Sequence, residues 1–205
     1  MRAKKIIPVF LIWINFIEIM LYYLNKEILD QDIKANLMYC PYDRAGILAL
    51  NYLLLFYTPF RSVFIFRTIT KKKLLWLKVL IKHPLKSIEL FGHIDGGLLV
   101  LHKQGCVVLA DKVGKNFTVS QCVTVGKGHK NKNGRDIPRI GNNVRICPNT
   151  VVFGGIDIGD NVVIGAGSVV NKSVPSNCTV VGNPARIVRR DGIRCNDLLL
   201  IDGDY

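Results

Sequence analysis

The chain is poor in acid and has no paired cysteines. Its 205 residues hold 15 Asp and Glu against 28 Lys and Arg, a net charge of +13. An excess of that size suits an anionic partner, whether a phosphorylated cofactor, a membrane surface or nucleic acid, although a merely Lys-rich surface gives the same number. Nucleic acid is disfavoured, because the sequence lacks zinc-finger spacing, an RNP-type segment and a basic region followed by heptads. Six cysteines (Cys40, Cys106, Cys122, Cys147, Cys178, Cys195) contain no C-x-x-C pair. Their scatter suits reduced thiols in a cytosol better than a disulfide framework or a zinc site, and no metal is expected. The apolar N-terminus also lacks a small-residue cleavage site of the signal-peptide kind.

That N-terminus, Ile6 to Leu24, is nearly long enough to span a bilayer. It carries Pro8, Asn15 and Glu18, however, and a mid-span acid costs roughly 2.5–3.5 kcal/mol on insertion. Arg2, Lys4 and Lys5 would hold the N-terminus in the cytoplasm, so a single span would place the rest of the chain outside. A helix packed on its own oligomer or lying at a membrane surface is therefore preferred to a span. Residues 1–86 read as a helical region, with apolar runs at Ile6–Leu24, Gly46–Tyr57 and Leu74–Ile81 separated by polar or turn-forming segments. Lys71–Lys73, followed by Lys78, Lys82 and Lys86, form either a solvated face or a contact for anionic headgroups.

From Ile88 the texture changes to short β-branched runs rich in Gly and Asn. Ile140, Ile146, Val152, Ile158, Ile164 and Val170 recur every six residues, a period that is neither helical nor simple strand alternation. Ile88, Ile94 and Val100 share the spacing, and after one seven-residue step Val107, Val113, Val119 and Val125 resume it. A hexapeptide period predicts a parallel β-helix, with three units to each triangular coil and the aliphatic residue pointing inward. The fifth position of each unit also points inward: Val144, Thr150, Ile156, Val162, Ser168 and Val174. Gly, Asn and Asp near the corners supply tight turns, several at positive φ. Eleven or twelve units, or about four coils, are counted over residues 87–182, with residues 183–205 as a C-terminal tail.

With "GGLLVLHKQGCVVLADKVGKNFTVSQCVTVG" and the closing "IGAGSVVNKSVPSNCTVVGNPARIVRR", the segment from Ile88 to Arg190 resembles the hexapeptide-repeat acyltransferases. Within them it resembles the serine acetyltransferase branch, and more narrowly the capsule and exopolysaccharide O-acetyltransferases. The resemblance implies a left-handed β-helix, acetyl-CoA as co-substrate and a homotrimer with active sites between neighbours, which the N-terminal helices extend to a dimer of trimers. It places the catalytic histidine at His102, inside the seven-residue step, where an off-period residue is displayed outward. A neutral imidazole suits the task of taking the proton from an acceptor hydroxyl, which then attacks the thioester directly. The carboxylate that orients this histidine in serine acetyltransferases falls at Ser87 here. Asp95, Glu89 or a main-chain carbonyl is left to do that work.

The resemblance carries the donor site onto Ala166, Asn171, Lys172, Arg186 and Arg189, the basic residues meeting the phosphates of CoA. Gln121, and His129 and Arg135 in the loop Gly126–Pro138, are candidates for the acceptor. Serine acetyltransferases have an Arg-His pair just before a proline in that loop. "GRDIPRI" puts Asp136 and Ile137 there, with Arg135 one position off. Loss of the cation for an amino-acid carboxylate leads to the expectation of a sugar hydroxyl of a surface glycan as acceptor, with serine as the alternative. Either reaction uses cytosolic acetyl-CoA, so a cytoplasmic enzyme is expected, in solution or at the inner face of the membrane. A metal-dependent hexapeptide protein of the carbonic anhydrase kind would need three interfacial histidines, and His93, His102 and His129 do not match that pattern. A coil serving only assembly would have no reason to keep His102 together with a donor-type terminus.

Overall fold

The six-residue period becomes a stack of short parallel strands in the computed structural model, in which residues 12–69, 87–102 and 104–199 are described. The chain divides into two units, Met1–Lys86 with Gly96–Leu99, and Ser87–Asp95 with Val100–Tyr205.

The second unit is a parallel β-helix, its strands numbered in chain order. One face stacks β1 (Ile88–Ile94), β3 (Cys106–Val113), β5 (Val123–Gly126), β8 (Val151–Phe153) and β11 (Val169–Val170). A second stacks β2 (Leu99–Val100), β4 (Thr118–Val119), β7 (Arg145–Ile146), β10 (Val163–Ile164) and β12 (Cys178–Val181). The third takes the ends of β1 and β3, then β6 (Arg139–Ile140), β9 (Asp157–Ile158) and a single bridge to Val174. Each face is five layers deep, one more than the repeat count suggests. β13 (Arg186–Arg190) and β14 (Ile193–Leu198) follow as antiparallel strands on β12.

The registers stack aliphatic columns. Val108 lies on Val125, Val125 on Val152 and Val152 on Val170, while Val113, Ile140, Ile158 and Val174 form the next column. Apart from half-buried positions in the first layer, these side chains are buried, and each contributes about 1.5–3 kcal/mol by leaving water. All six fifth-position residues are buried as expected. The two polar ones are satisfied, since the hydroxyls of Thr150 and Ser168 both donate to the Gly165 carbonyl. Asn116, Asn143, Asn161 and Asn177 occupy left-handed corner positions, and their side-chain amides bond one to the next at 2.9–3.0 Å. Asn suits this corner because it tolerates positive φ and offers both a donor and an acceptor.

The early repeats depart from simple counting. Cys106 and Val108 are buried and Val107 only partly so, which makes the step after Val100 eight residues and the next one five. The eight-residue step contains the two extra residues between Leu101 and Gln104, and a register shift between Phe91 and His93 lies where β1 and β3 run continuously around a corner. Gly92 permits it, having φ +93° and a position where a Cβ would lie 1.9 Å from the Ala110 carbonyl oxygen.

Among its described residues the first unit holds two 3₁₀ turns (Ile12–Asn15 and Leu37–Tyr39) and four helices: α1 (Phe16–Leu24), α2 (Lys26–Asn36), α3 (Ile47–Phe56) and α4 (Thr58–Thr68). α2 is polar in composition but lines up Leu29, Asp32, Ile33 and Asn36 on one buried face. Asp32 accepts from Arg67 Nε at 2.7 Å and Nη2 at 3.1 Å, and from the Gly97 and Leu98 backbone N–H groups at 2.9 and 2.8 Å. Burial raises the carboxyl's pKa, and the guanidinium and two N–H groups oppose that rise by satisfying the ionised form. The run Leu74–Ile81 and the basic residues Lys71–Lys73, Lys78, Lys82 and Lys86 lie outside the described residues.

Candidate active site

His102 owes its exposure to an insertion in the coil. Leu101 donates its N–H to Val119 and Ser120 donates to Ile146, so Leu101 and Ser120 are equivalent. Cys122 donates to the Gln104 carbonyl and Asn149 to that of Gln121, so Gln104 and Gln121 are equivalent too. Two residues more therefore separate Leu101 from Gln104 than Ser120 from Gln121. His102 is one of them, exposed and at φ +68°, a left-handed conformation for which histidine is among the better tolerated side chains. Gln121 occupies the same corner one layer on, and its side-chain carbonyl oxygen is buried with no hydrogen-bond partner. The corner thus presents an exposed imidazole beside an unused acceptor. Of the carboxylates considered for orienting His102, Asp95 instead takes His93 Nε2 at 2.9 Å, and Glu89 is exposed on β1.

The loop between β5 and β6 sits at a different corner. It is held by Asn131, whose side-chain oxygen accepts from the N–H groups of Asn133 and Arg135 and whose amide donates to the Gly155 carbonyl. Gly155 allows this approach, because a Cβ there would lie 1.9 Å from the Arg135 carbonyl oxygen. His129 is exposed and packs its ring over Gly154, and Lys127 pairs with Asp136 at 3.7 Å.

Arg135 folds inward, its side chain only 12% exposed. Nη2 donates to the Gly155 carbonyl at 3.1 Å and to the Asp157 carboxylate at 2.8 Å. Nε and Nη1 are buried without a partner. Buried guanidinium donors without a partner are costly unless an anion takes them, and Nε and Nη1, which flank the occupied Nη2, each leave a single N–H beside it for one. A cleft of about 360 Å³ opens here, lined by Asn131, Gly134, Arg135 and Asp157 together with the ion-paired Arg139 and Asp111.

The donor candidates gather at the last layers. Ala166 and Asn171 are exposed, and Lys172 is half-buried with Nζ donating to the Leu199 carbonyl at 3.2 Å. Arg186 and Arg189 are exposed on β13, paired in register with Val181 and Thr179. His102 and Gln121 are thus brought together. Arg135 and His129 lie at another corner of the same chain, and the donor residues lie at the far end of the stack. Asn131, Gly155 and Asp157, which set the Arg135 geometry, went unrecognised in the sequence, where only the N-x-x-G spacing ahead of Arg135 hints at a turn.

The chain has counterparts among known proteins. Residues 138–172 match the family described as bacterial transferase hexapeptide (six repeats). A serine acetyltransferase of Synechococcus elongatus is 41% identical over 108 residues, 52% of this chain and 44% of that protein. One from Staphylococcus aureus is 44% identical over 112 residues, 55% of this chain and 50% of its own length. The chain therefore spans about half the length of these curated relatives. Among solved structures, a Neisseria gonorrhoeae serine acetyltransferase in complex with serine superposes with a TM-score of 0.59 at 29% identity, covering 80% of this chain and 69% of that one. A Brucella abortus serine acetyltransferase in complex with coenzyme A gives 0.52 at 27%, covering 83% and 71%.

These findings correct two expectations. The nearness to capsule and exopolysaccharide enzymes is not supported, and the sugar hydroxyl is overturned as acceptor in favour of the alternative, because the relatives are serine acetyltransferases. Arg135, one position off the expected pair, is turned inward and keeps Nε and Nη1 unpaired. The chain carries a left-handed β-helix with a hexapeptide-repeat match over residues 138–172, and it is similar to serine acetyltransferases over about half its length.

Proposed function

We propose that this protein transfers the acetyl group of acetyl-CoA to the hydroxyl of L-serine in the cytoplasm. The observation that carries the reading is the buried guanidinium of Arg135, with Nε and Nη1 unpaired beside a cleft, in a homologue of serine acetyltransferases. Arg135 receives the serine carboxylate. His102 takes the hydroxyl proton as the oxygen attacks the thioester carbonyl; the C–S bond then breaks, and the proton returns to the departing CoA sulfur. Gln121 accepts a hydrogen bond from the serine ammonium through its unused side-chain oxygen.

His102 and Arg135 stand at different corners of one coil, so the reading requires a homotrimer in which one copy's loop meets its neighbour's His102 corner. Lys172, Arg186 and Arg189 hold the CoA phosphates, and Ala166 and Asn171 lie along the pantetheine arm. The test is CoA thiol release by the purified full chain with L-serine, beside nucleotide sugars and oligosaccharides. Release with serine that disappears in His102→Ala is expected. Release only with a sugar, or serine turnover that survives His102→Ala, overturns the reading.

A further inference from the structure

Helix α1 is apolar on both faces. Trp13, Phe16, Met20, Tyr23 and Leu24 are 57–75% exposed. From Phe16 onward they fall at i, i+4, i+7 and i+8, one continuous face of the helix. The opposite face buries Leu21 and Tyr22 in the core, and polar groups beside them. Asn15 is fully buried and donates to the Asn51 side chain at 2.5 Å, and Glu18 is 5% exposed. Arg61 feels the Glu18 charge and donates to the Leu54 and Leu55 carbonyls. A helix that meets only water places such residues the other way round, and an apolar patch of this kind marks an interaction site.

Charge decides the occupant. In the sequence, the segments flanking this helical unit carry Arg2, Lys4 and Lys5 within residues 1–11, and Lys71, Lys72, Lys73, Lys78, Lys82 and Lys86 within residues 70–86. That is nine cations, three plus six, and no Asp or Glu in either segment. A second copy docked face to face would set this excess against itself. An anionic lipid surface attracts it. Trp13 and Tyr23 near the two ends of the stripe are the side chains that settle at a water–lipid boundary. Among the described residues no single helix is long and apolar enough to cross a membrane, so the contact is one of a face lying on the surface.

We infer that the exposed face of α1 docks on an anionic phospholipid bilayer, holding the enzyme at the membrane as a peripheral protein. This inference is independent of the acceptor and leaves the trimer without a second trimer on this face.

The experiment uses the full chain carrying Trp76→Phe, so that Trp13 is the one tryptophan remaining. It is mixed with vesicles of phosphatidylcholine alone or with about 30% phosphatidylglycerol, at low and high salt. Flotation with the anionic vesicles, a blue shift of Trp13 emission and quenching by brominated acyl chains are expected, with release by high salt. Phe16→Ser combined with Met20→Ser lowers vesicle partitioning by roughly tenfold or more while the circular dichroism spectrum is kept. Should that pair unfold the unit, Tyr23→Ser alone gives a smaller loss in the same direction. Absence of flotation, unshifted Trp13 emission, or a drop in oligomeric state in the Phe16 and Met20 variant without any lipid effect overturns the inference; the last would assign the face to a second copy.

Discussion

Arg135 gives one nitrogen, Nη2, to the Asp157 carboxylate at 2.8 Å and keeps Nε and Nη1 buried and unpaired. Asp157 is itself 62% exposed, so it steers the guanidinium without neutralising it fully. The arrangement fixes a charged guanidinium with a single unspent N–H on either side of Nη2, a cation placed for an anionic group.

Arg135→Lys keeps a charge and removes the planar guanidinium with its fixed donors. The KM for L-serine is expected to rise about 10- to 100-fold, with a smaller change in kcat, since the contact is made equally in ground and transition states. Initial rates at varied serine check it. An unchanged KM would detach Arg135 from the acceptor.

His102→Ala should lower kcat by about 10²–10⁴-fold while the KM for acetyl-CoA stays within a few-fold. His102→Gln fills similar space without a base and should be equally slow. Recovery of activity in the glutamine variant would mean that His102 acts by shape.

Arg186→Ala with Arg189→Ala removes two exposed cations beside the last layer. A rise of about tenfold in the KM for acetyl-CoA, steepest at low salt, is expected with kcat held. Dephospho-CoA as competitor should lose the difference between wild type and variant if one of these arginines meets the 3′-phosphate.

Arg67→Met leaves the Asp32 carboxylate buried without its cation, and a loss of about 3–5 kcal/mol in unfolding free energy is expected. Replacing both partners, with Asp32→Leu beside Arg67→Met, should recover part of that loss. Denaturant melts of the helical unit's signal measure both.

Burial, with a smaller contribution from Cys122, pushes the Cys106 thiol up to about 12, so it is protonated and shielded at neutral pH. Maleimide at pH 7.5 is expected to leave Cys106 unmodified in the native protein and to label it after unfolding, as mass spectrometry of peptides would record. Native labelling at the unfolded rate would contradict the buried column.

Much of the coil was legible because a β-helix writes its geometry into the chain at a fixed period, and Ile140 to Val170 repeat it without a slip. His102 stood out for the same reason, as a residue inside a broken step. Val107 was misplaced because two extra residues between Leu101 and Gln104 carry the inward position on to Val108, and a seven-residue step allows for only one of them. The inward turn of Arg135 was not legible, because Asn131 and Gly155 hold the loop through contacts that join residues distant in the sequence. The buried face of α2 and the burial of Glu18 in α1 were hidden in turn. Asp32 looks like a surface residue until its partner Arg67 is seen.

Formation of O-acetylserine from acetyl-CoA and L-serine, measured by mass spectrometry beside serinamide, tests the central claim most directly. Serinamide keeps the hydroxyl and amine but lacks the carboxylate that Arg135 would receive. Acetylation of L-serine with kcat/KM at least about 100-fold above that of serinamide is the expected result. No O-acetylserine, or equal turnover of the two, would contradict it.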